Sequence, residues 1–228
     1  MKPINKSCLT ALAATSLFIS PGVFSKSTPE AGLELREAKE WNFQVFLNDN
    51  AIGFHNFRLD PLQDGYELTT EADFKVKFLF VTAYRYQHEN QETWRNGCLE
   101  RISARTNNNG SQLKVTGQRE SDSFALAATN RDAALNDSCI HSFAYWDLEA
   151  LKATRLLNSQ TGVYQNVSVT QVGRESIDVD GKPRTADRYT LDAEGVNLDL
   201  WYSPEGEWLG LASTLEKGRQ LRYQLVRS

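Results

Sequence analysis

Residues 69–106 read TTEADFKVKFLFVTAYRYQHENQETWRNGCLERISART. Apolar and charged side chains alternate along the first part of this segment. Phe74 and Tyr84 stand at even positions, and Lys75 and Arg85 stand at odd ones. Because successive side chains of a β-strand point to opposite faces, this pattern predicts one long strand with an aromatic face and a charged face.

The predicted strand ends at Asn96-Gly97, and a second strand follows from Cys98 to a further turn at Asn109-Gly110. Asn-Gly is a strong hairpin signal because a type I′ turn needs a positive φ at both central residues. The rest of the chain continues as short alternating runs between turn residues, about a dozen strands in all, without strand–helix alternation. The predicted fold class is therefore all-β: a strongly curved antiparallel sheet or half-open β-barrel, with residues 41–228 as one β-rich domain.

Several local expectations follow from the same patterns. Asp147 is a favourable N-cap for one short helix over Leu148–Lys152. Gly53 indicates a bulge or a close approach of two strands. Residues 130–138 are polar and predict a loop, and residues 163–169 and 177–179 predict two separate strands.

The first 25 residues have the pattern of a secretory signal peptide. Lys2 and Lys6 precede a short apolar run over Leu9–Ile19, and Val23 and Ser25 are small residues before the expected cleavage site. A membrane anchor would need about 20 apolar residues, which is more than this run provides. We therefore expect a periplasmic or secreted protein, with residues 26–40 as an N-terminal leader or short helix.

The charge of the mature chain limits its partners. Cleavage would remove two of the 25 basic residues and none of the 29 acidic ones, which leaves a net charge of −6. Basic residues are not clustered, so nucleic acid and anionic membrane surfaces are poor candidates. No second apolar run reaches membrane length, and we expect no transmembrane segment in the mature chain.

Cleavage would also remove Cys8 and leave Cys98 and Cys139. An oxidising compartment favours a disulfide between them, which would close a loop of about 40 residues and stabilise the fold by about 4 kcal/mol. The alternative is a free thiol or a metal ligand. Those functions favour a Cys-x-x-Cys spacing or a basic neighbour, and the sequence contains neither.

His88 and Glu92 form the polar pair of most chemical interest, since a regular strand would place both on one face with Asn90. A His and a carboxylate can perform acid–base chemistry or contribute to a metal site, but two groups are fewer than the three ligands of a catalytic zinc. A hydrogen-bonded structural pair is the simpler interpretation. No serine elbow, phosphate-binding loop or dinucleotide motif is present, so we predict no catalytic residue, no metal and no cofactor.

Aromatic side chains provide the other signal. Buried Trp and Tyr side chains are usual in a core, but they also line ligand cavities. A packed core is the simpler interpretation, and the observation on the side of a cavity is Phe78–Val81, where alternation fails and both faces of a strand would be apolar. The candidate ligand-binding side chains are Phe78, Phe80, Tyr84, Tyr86, Trp94, Tyr145, Trp146, Trp201 and Tyr202.

The sequence from Trp41 to Val226 resembles a family of exported bacterial proteins, domain-of-unknown-function family 6134. The motifs that carry the resemblance are WNFQVFLNDNAIGFHNF (41–57), AYRYQHENQETWRNGCL (83–99), ARTNNNG (104–110), FAYWD (143–147), RLLNSQTG (155–162) and LWYSPEGEWL (200–209). The resemblance implies a secreted or periplasmic β-domain and brings no catalytic residues. The opening hairpin is also similar to those of periplasmic half-open β-barrels that carry lipids or lipoproteins, which is a likeness of fold alone.

These observations lead to one functional expectation with two alternatives. We expect an exported envelope protein that binds a hydrophobic, lipid-like ligand in a β-cavity and is not an enzyme. One alternative is a module that docks another envelope protein through a sheet edge. The other is an enzyme with its site near His88 and Glu92.

Overall fold

The computed structural model describes residues 37–78 and 81–226. The predicted signal peptide and most of the predicted leader lie outside the described residues. The first strand begins at Lys39. Among the described residues there is no helix with the length and apolar character that crossing a bilayer would require.

Strands make up most of the described chain, and all of them pair in one antiparallel sheet that does not close on itself. The strands are β1 (Lys39–Leu47), β2 (Asn50–Leu62), β3 (Gly65–Phe78), β4 (Val81–Arg95), β5 (Cys98–Asn108), β6 (Ser111–Arg119), β7 (Phe124–Ala128), β8 (Arg131–Leu135), β9 (Arg155–Leu157), β10 (Tyr164–Val179), β11 (Lys182–Ala193), β12 (Val196–Tyr202), β13 (Trp208–Thr214) and β14 (Gln220–Val226). This architecture confirms the predicted fold class.

The sheet consists of two arms, each a meander of consecutive strands. The arms join where the first strand, β1, pairs with the last strand, β14. The spatial order is β8 to β1 and then β14 to β9, so every neighbour is a sequence neighbour except at the centre. There β1 pairs with β14, with Asn42 opposite Val226 and Leu47 opposite Leu221. The first and last strands are therefore central, and β8 and β9 lie at the two edges of the sheet.

Tight turns connect the strands where the sequence predicted them. Asn96 and Gly97 both have positive φ, at 49° and 75°, and so do the residues of the Asn109-Gly110 turn. Asn tolerates the left-handed region better than most residues and Gly pays no steric cost there. These turns set the register of β4 against β5 and of β5 against β6.

The single strand predicted for the first part of residues 69–106 is wrong, because the chain turns back within it. β3 and β4 pair with Phe78 opposite Val81, and Phe74 lies opposite Tyr86. Opposed residues of an antiparallel pair share a face, so the even positions up to Val76 and from Tyr84 onward lie on one face, and a register shift between Val76 and Lys77 separates these pairs from the pair next to the turn. The break in alternation at residues 78–81 is therefore explained by a hairpin connection. Residues 79 and 80 lie outside the described part of the chain.

Three further boundaries differ from the sequence predictions. Residues 130–138 include strand β8, and the predicted strands over residues 163–169 and 177–179 are the single strand β10. The side chains of β10 from residue 171 to 176 are all exposed, so this part has no alternating pattern to reveal a strand. The short helix is only a 3-10 turn, Ala150–Lys152.

Asp147 nevertheless makes the contact expected of a cap. Its Oδ1 atom accepts hydrogen bonds from the backbone N–H groups of Glu149 at 2.9 Å and Ala150 at 3.3 Å. These bonds satisfy donors that a helix start leaves free. Asp147 therefore makes capping contacts, but the turn begins at Ala150 and its N-cap position is Glu149, two residues later than predicted.

One core cluster contains side chains from both arms. Trp94 of β4 and Trp208 of β13 are both completely buried, and Phe57 of β2 packs edge-on against Trp208 with ring centroids 5.0 Å apart. A flat sheet could not bring strands from both arms into one cluster. The sheet must therefore curve so that its inner face surrounds the core.

The connection from β8 to β9 passes through this interior. Cys139 is joined to Cys98 at the start of β5 by the predicted disulfide, and Leu99 donates a backbone hydrogen bond to the carbonyl of Ile140 at 2.8 Å. Ile140 and Leu151 are fully buried. We call residues 136–154 the crossing segment, since it fills the curve of the sheet.

Gly53 provides a direct test of how closely β2 and β3 approach each other. Its φ is +149°, and a Cβ atom there would lie 1.8 Å from the carbonyl oxygen of Asp73 on β3. We expect Gly53→Ala to lower the free energy of unfolding by about 2 kcal/mol or more, because the two strands would have to separate. Urea unfolding measures the effect.

Gly173→Ala is the matched control, because a Cβ atom at Gly173 would have no neighbour within 4 Å. It should leave the free energy of unfolding nearly unchanged. Equal stability of the two variants would show that β2 and β3 do not approach each other as described.

Candidate functional site

A cleft of about 390 Å³ opens on the inner face of the sheet, between the two arms. We call it the inner cleft. One wall comes from β2 to β4, the opposite wall comes from β12 to β14 and the turn after β13, and a roof comes from residues 142–145 and 158–160. Clefts of this size are in the range that holds small ligands.

The wall from β2 to β4 is mostly polar, and we call it the polar wall. Phe57 and Leu68 also line it, and its polar side chains are His55, Thr70, His88, Asn90 and Glu92. The last three follow each other at every second position of β4, which places them on the inner face. Thr70 of β3 lies directly opposite Asn90.

The facing wall is apolar, and we call it the apolar wall. Its apolar side chains are Val196 and Leu198 of β12, Leu211 of β13, Leu215 of the following turn and Leu221 of β14, and Ser213 of β13 is its one polar side chain among the described residues. Tyr86, Tyr145 and Tyr223 add rings to the cleft. The inner cleft therefore has one polar side and one apolar side.

Glu92 is buried in the polar wall, with 1% of its surface exposed. Its carboxyl group accepts three hydrogen bonds, each of 2.9 Å, from Asn90 Nδ2, Trp94 Nε1 and Ser142 Oγ. Burial raises the pKa of Glu92, and the three bonds oppose that shift. The bond from Ser142 also ties the crossing segment to β4, so this carboxyl group has a clear structural function.

The two histidines of the polar wall are held in the neutral form. His88 Nδ1 lies 2.8 Å from Thr106 Oγ1, and burial lowers the pKa of His88 to about 4. His55 Nδ1 lies 3.2 Å from the hydroxyl of Tyr223. Burial, and secondarily the charge of His88, lowers the pKa of His55 to about 3. Neutral imidazoles can donate or accept hydrogen bonds.

These contacts suit hydrogen bonding better than acid–base catalysis. His88 and Glu92 share the wall, but each is bonded to other groups. His88 Nε2 lies 3.4 Å from Ser159 Oγ, yet an imidazole with a pKa near 4 is a weak base at neutral pH. Its other nitrogen meets the Thr106 hydroxyl, where a catalytic triad would place a carboxylate.

Metal ligation has no comparable support in the described part of the chain. No group of three or more His, Cys, Asp or Glu side chains lies together there in a way that could hold a metal ion.

Three buried polar atoms of the polar wall have no hydrogen-bond partner within the described part of the chain. They are His55 Nε2, Thr70 Oγ1 and Asn90 Oδ1. The residues Thr70 and Asn90 are only 4% and 6% exposed. Because buried polar atoms are normally paired, unpaired atoms on residues that line the cleft are candidate contacts for a bound polar group.

The side chains predicted to bind a ligand are distributed over the whole molecule. Tyr86 and Tyr145 line the inner cleft. Trp94, Trp146 and Tyr202 are buried in the core beside it.

The remaining predicted positions lie away from the cleft or cannot be placed. The Tyr84 hydroxyl donates to Asn108 at 2.8 Å, and Trp201 donates to exposed Glu175 at 2.6 Å. The Phe78 side chain and all of Phe80 lie outside the described residues. Sequence reasoning also missed Thr70 and the whole apolar wall, and it had no means of placing His55 beside His88. Which residues line the cleft depends on which strands face each other, and the local alternation of side chains does not contain that information.

Glu92→Gln tests the carboxyl group as an anchor of the crossing segment. An amide offers only one accepting oxygen to three donors, and its NH₂ group would face a donor. We expect the free energy of unfolding to fall by about 1–3 kcal/mol, measured by urea unfolding. Glu89→Gln, on the exposed face of the same strand, should have little effect. Equal effects of the two changes would contradict the bonding described.

The neutral histidines predict a pH dependence of stability. Below the unfolded-state pKa of 6.5, the unfolded protein binds protons that His55 and His88 in the native protein do not accept. Stability is therefore full above about pH 6.5 and is lost as the pH falls towards about 4. The raised pKa of Glu92 acts in the opposite sense, since its stabilising contribution is lost as the pH rises.

We expect His88→Gln to reduce the loss of stability between about pH 7.5 and about pH 5 by about 2 kcal/mol. Urea unfolding at several pH values measures it. His141→Gln is the control and should change the pH profile less, because Asp147 raises the pKa of His141 and so opposes the larger, lowering effect of burial. An unchanged pH profile in His88→Gln would contradict the burial of a neutral imidazole.

Comparison with solved structures supports the architecture. Three chains of solved structures match this chain. One is the crystal structure of a β-barrel-like protein of domain of unknown function DUF1849 from Brucella abortus, with a TM-score of 0.62 and 11% sequence identity over 85% of this chain and 98% of that one. At this identity the likeness shows a shared fold alone.

Sequence comparison identifies the family. No curated protein matches the chain. The model of the domain of unknown function DUF6134 matches residues 43–226, which include nearly all the strands described above. The chain therefore belongs to the DUF6134 family.

Proposed function

We propose that this chain is a non-enzymatic binding protein of the cell envelope, and that it holds a hydrophobic, lipid-like ligand in the inner cleft. The observation that carries the proposal is the cleft itself, with an apolar wall from β12 to β14 inside an open antiparallel sheet. Apolar surface facing a ligand-sized opening gains free energy when a hydrophobic molecule displaces water from it.

A location in the envelope is supported by two features. Residues 1–25 have the charge and apolar pattern of a secretory leader. The disulfide Cys98–Cys139 also suits an oxidising compartment, because cytosolic thiols are kept reduced. Both features fit a periplasmic or secreted protein.

Binding is favoured over catalysis by the chemistry of the polar wall. The carboxyl group of Glu92 is occupied by three donors, and His88 is held neutral by burial. A general acid or base needs a pKa near the working pH and access to a reacting proton. Neither group meets both needs, whereas both can shape a binding surface.

Filling the cleft with a large side chain should weaken the binding of a hydrophobic ligand. Val196→Trp places a large ring on the apolar wall, and Val172→Trp makes the same change at a site on β10 that is 54% exposed. We expect the wild type and Val172→Trp to bind the neutral fluorophore 1-N-phenylnaphthylamine, and Val196→Trp to bind it at least about tenfold more weakly. Fluorescence titration measures the affinity.

Gently purified protein, extracted and analysed by mass spectrometry, should also release a lipid-like molecule from the wild type and from Val172→Trp but less from Val196→Trp. Circular dichroism verifies that both variants are folded. Equal fluorophore binding by the two variants, together with no extracted lipid from any of them, would overturn the proposal.

A further inference from the structure

We infer that the inner cleft selects an amphipathic ligand whose head group donates hydrogen bonds and carries no negative charge, a hydroxyl or an amine, and that it rejects carboxylates and phosphates. This inference rests on the proposed function and specifies the ligand class of the same site. It depends on three properties of the cleft: the separation of its walls, its unpaired acceptors and its lack of cations.

The separation of the walls determines which way a ligand lies. Val196, Leu198 and Leu211 come from one arm of the sheet, and Thr70 and Asn90 come from the other. A purely apolar ligand would cover the polar wall and leave its buried groups unpaired, which costs free energy. An amphipathic ligand can place its chain on the apolar wall and its head group on the polar wall.

Of the three unpaired atoms, Asn90 Oδ1 is the one that can only accept, and it therefore requires a donor, whereas the Thr70 hydroxyl and His55 Nε2 can donate or accept. Asn90 Nδ2 donates to Glu92 at 2.9 Å, which leaves Asn90 Oδ1, a pure acceptor, without a partner. Thr70 of β3 is the residue opposite Asn90, and its Oγ1 atom is also unpaired. A hydroxyl or an amine can donate to Asn90 Oδ1, whereas a carboxylate or phosphate anion presents only acceptors.

The charges of the cleft act against an anion. Among the described residues, no Lys or Arg side chain lines it. The carboxyl group of Glu92 stands in the polar wall, and its three donors are all neutral groups. An anionic head group would lose its hydration without gaining a cationic partner, a condition under which buried charges are strongly disfavoured.

The test compares three probes with the same eight-carbon chain: 1-octanol, octylamine and sodium octanoate. Each is titrated against wild-type protein loaded with 1-N-phenylnaphthylamine. We expect 1-octanol, octylamine or both to displace the fluorophore at a concentration at least about tenfold lower than octanoate. The relative strength of the alcohol and the amine identifies the preferred donor. Octanoate as effective as both would overturn the inference.

A pair of isosteric variants tests the role of the unpaired hydroxyl. Thr70→Val removes an unpartnered Oγ1, and Thr106→Val removes one that is paired with His88. We expect Thr70→Val to raise the urea midpoint and to weaken binding of the better donor probe by about five- to tenfold. Thr106→Val should lower the midpoint. A lower midpoint for Thr70→Val with unchanged probe binding would show a purely structural threonine and overturn the inference.

The outcomes separate this inference from the proposed function. If the fluorophore binds and is displaced best by octanoate, the cleft is a binding site and the assigned head group is wrong. If the fluorophore does not bind the wild type and no eight-carbon probe changes the intrinsic fluorescence, the proposed function is contradicted, and the head-group inference with it.

Discussion

The pairing of β1 with β14 is the constraint on which the rest of the structure depends. It joins two arms that are each simple meanders in sequence, and it converts two potential sheets with free edges into one. Across this junction the hydroxyl of Tyr223 on β14 reaches His55 on β2, two strands away. Because of this pairing, the polar wall of one arm and the apolar wall of the other belong to the same inner face.

The crossing segment determines how much of that inner face is filled. It is fixed to β5 by the disulfide Cys98–Cys139 and to β4 by the hydrogen bond from Ser142 to Glu92. Its buried residues complete the core around Trp94, and Tyr145 reaches Trp208 in the other arm at 5.6 Å between ring centroids. What the segment leaves uncovered is the inner cleft. A structural carboxyl group and a candidate binding site thus share one wall.

Much of the fold could be predicted from local sequence, because its signals are local. Alternation along Phe74–Tyr86 and the turn at Asn96-Gly97 depend on strand geometry and on backbone φ alone, and the disulfide follows from having two cysteines left after the expected cleavage. The hairpin at residues 78–81 was missed because the alternation continues with the same parity on both sides of it. Its only sign was the apolar run itself.

The candidate site was much less predictable. Alternation places His88, Asn90 and Glu92 on one face, and the structure has them there. No local pattern shows that Leu198 and Leu211, more than 100 positions later, face them across the cleft. That arrangement arises from the pairing of the two ends of the domain, where register depends on contacts distant in sequence. For the same reason large aromatic residues were a poor guide, since most of them complete the core and do not line the cleft.

The central claim is that the curved sheet leaves a ligand-sized cleft with two chemically different walls. A crystal structure of the protein grown with octylamine tests it most directly. We expect density for the probe inside the cleft, with its chain against Leu198 and Leu211 and its nitrogen within hydrogen-bond distance of Asn90 Oδ1. A structure in which side chains of the two walls meet and fill the space, with the probe bound elsewhere or not at all, would contradict it.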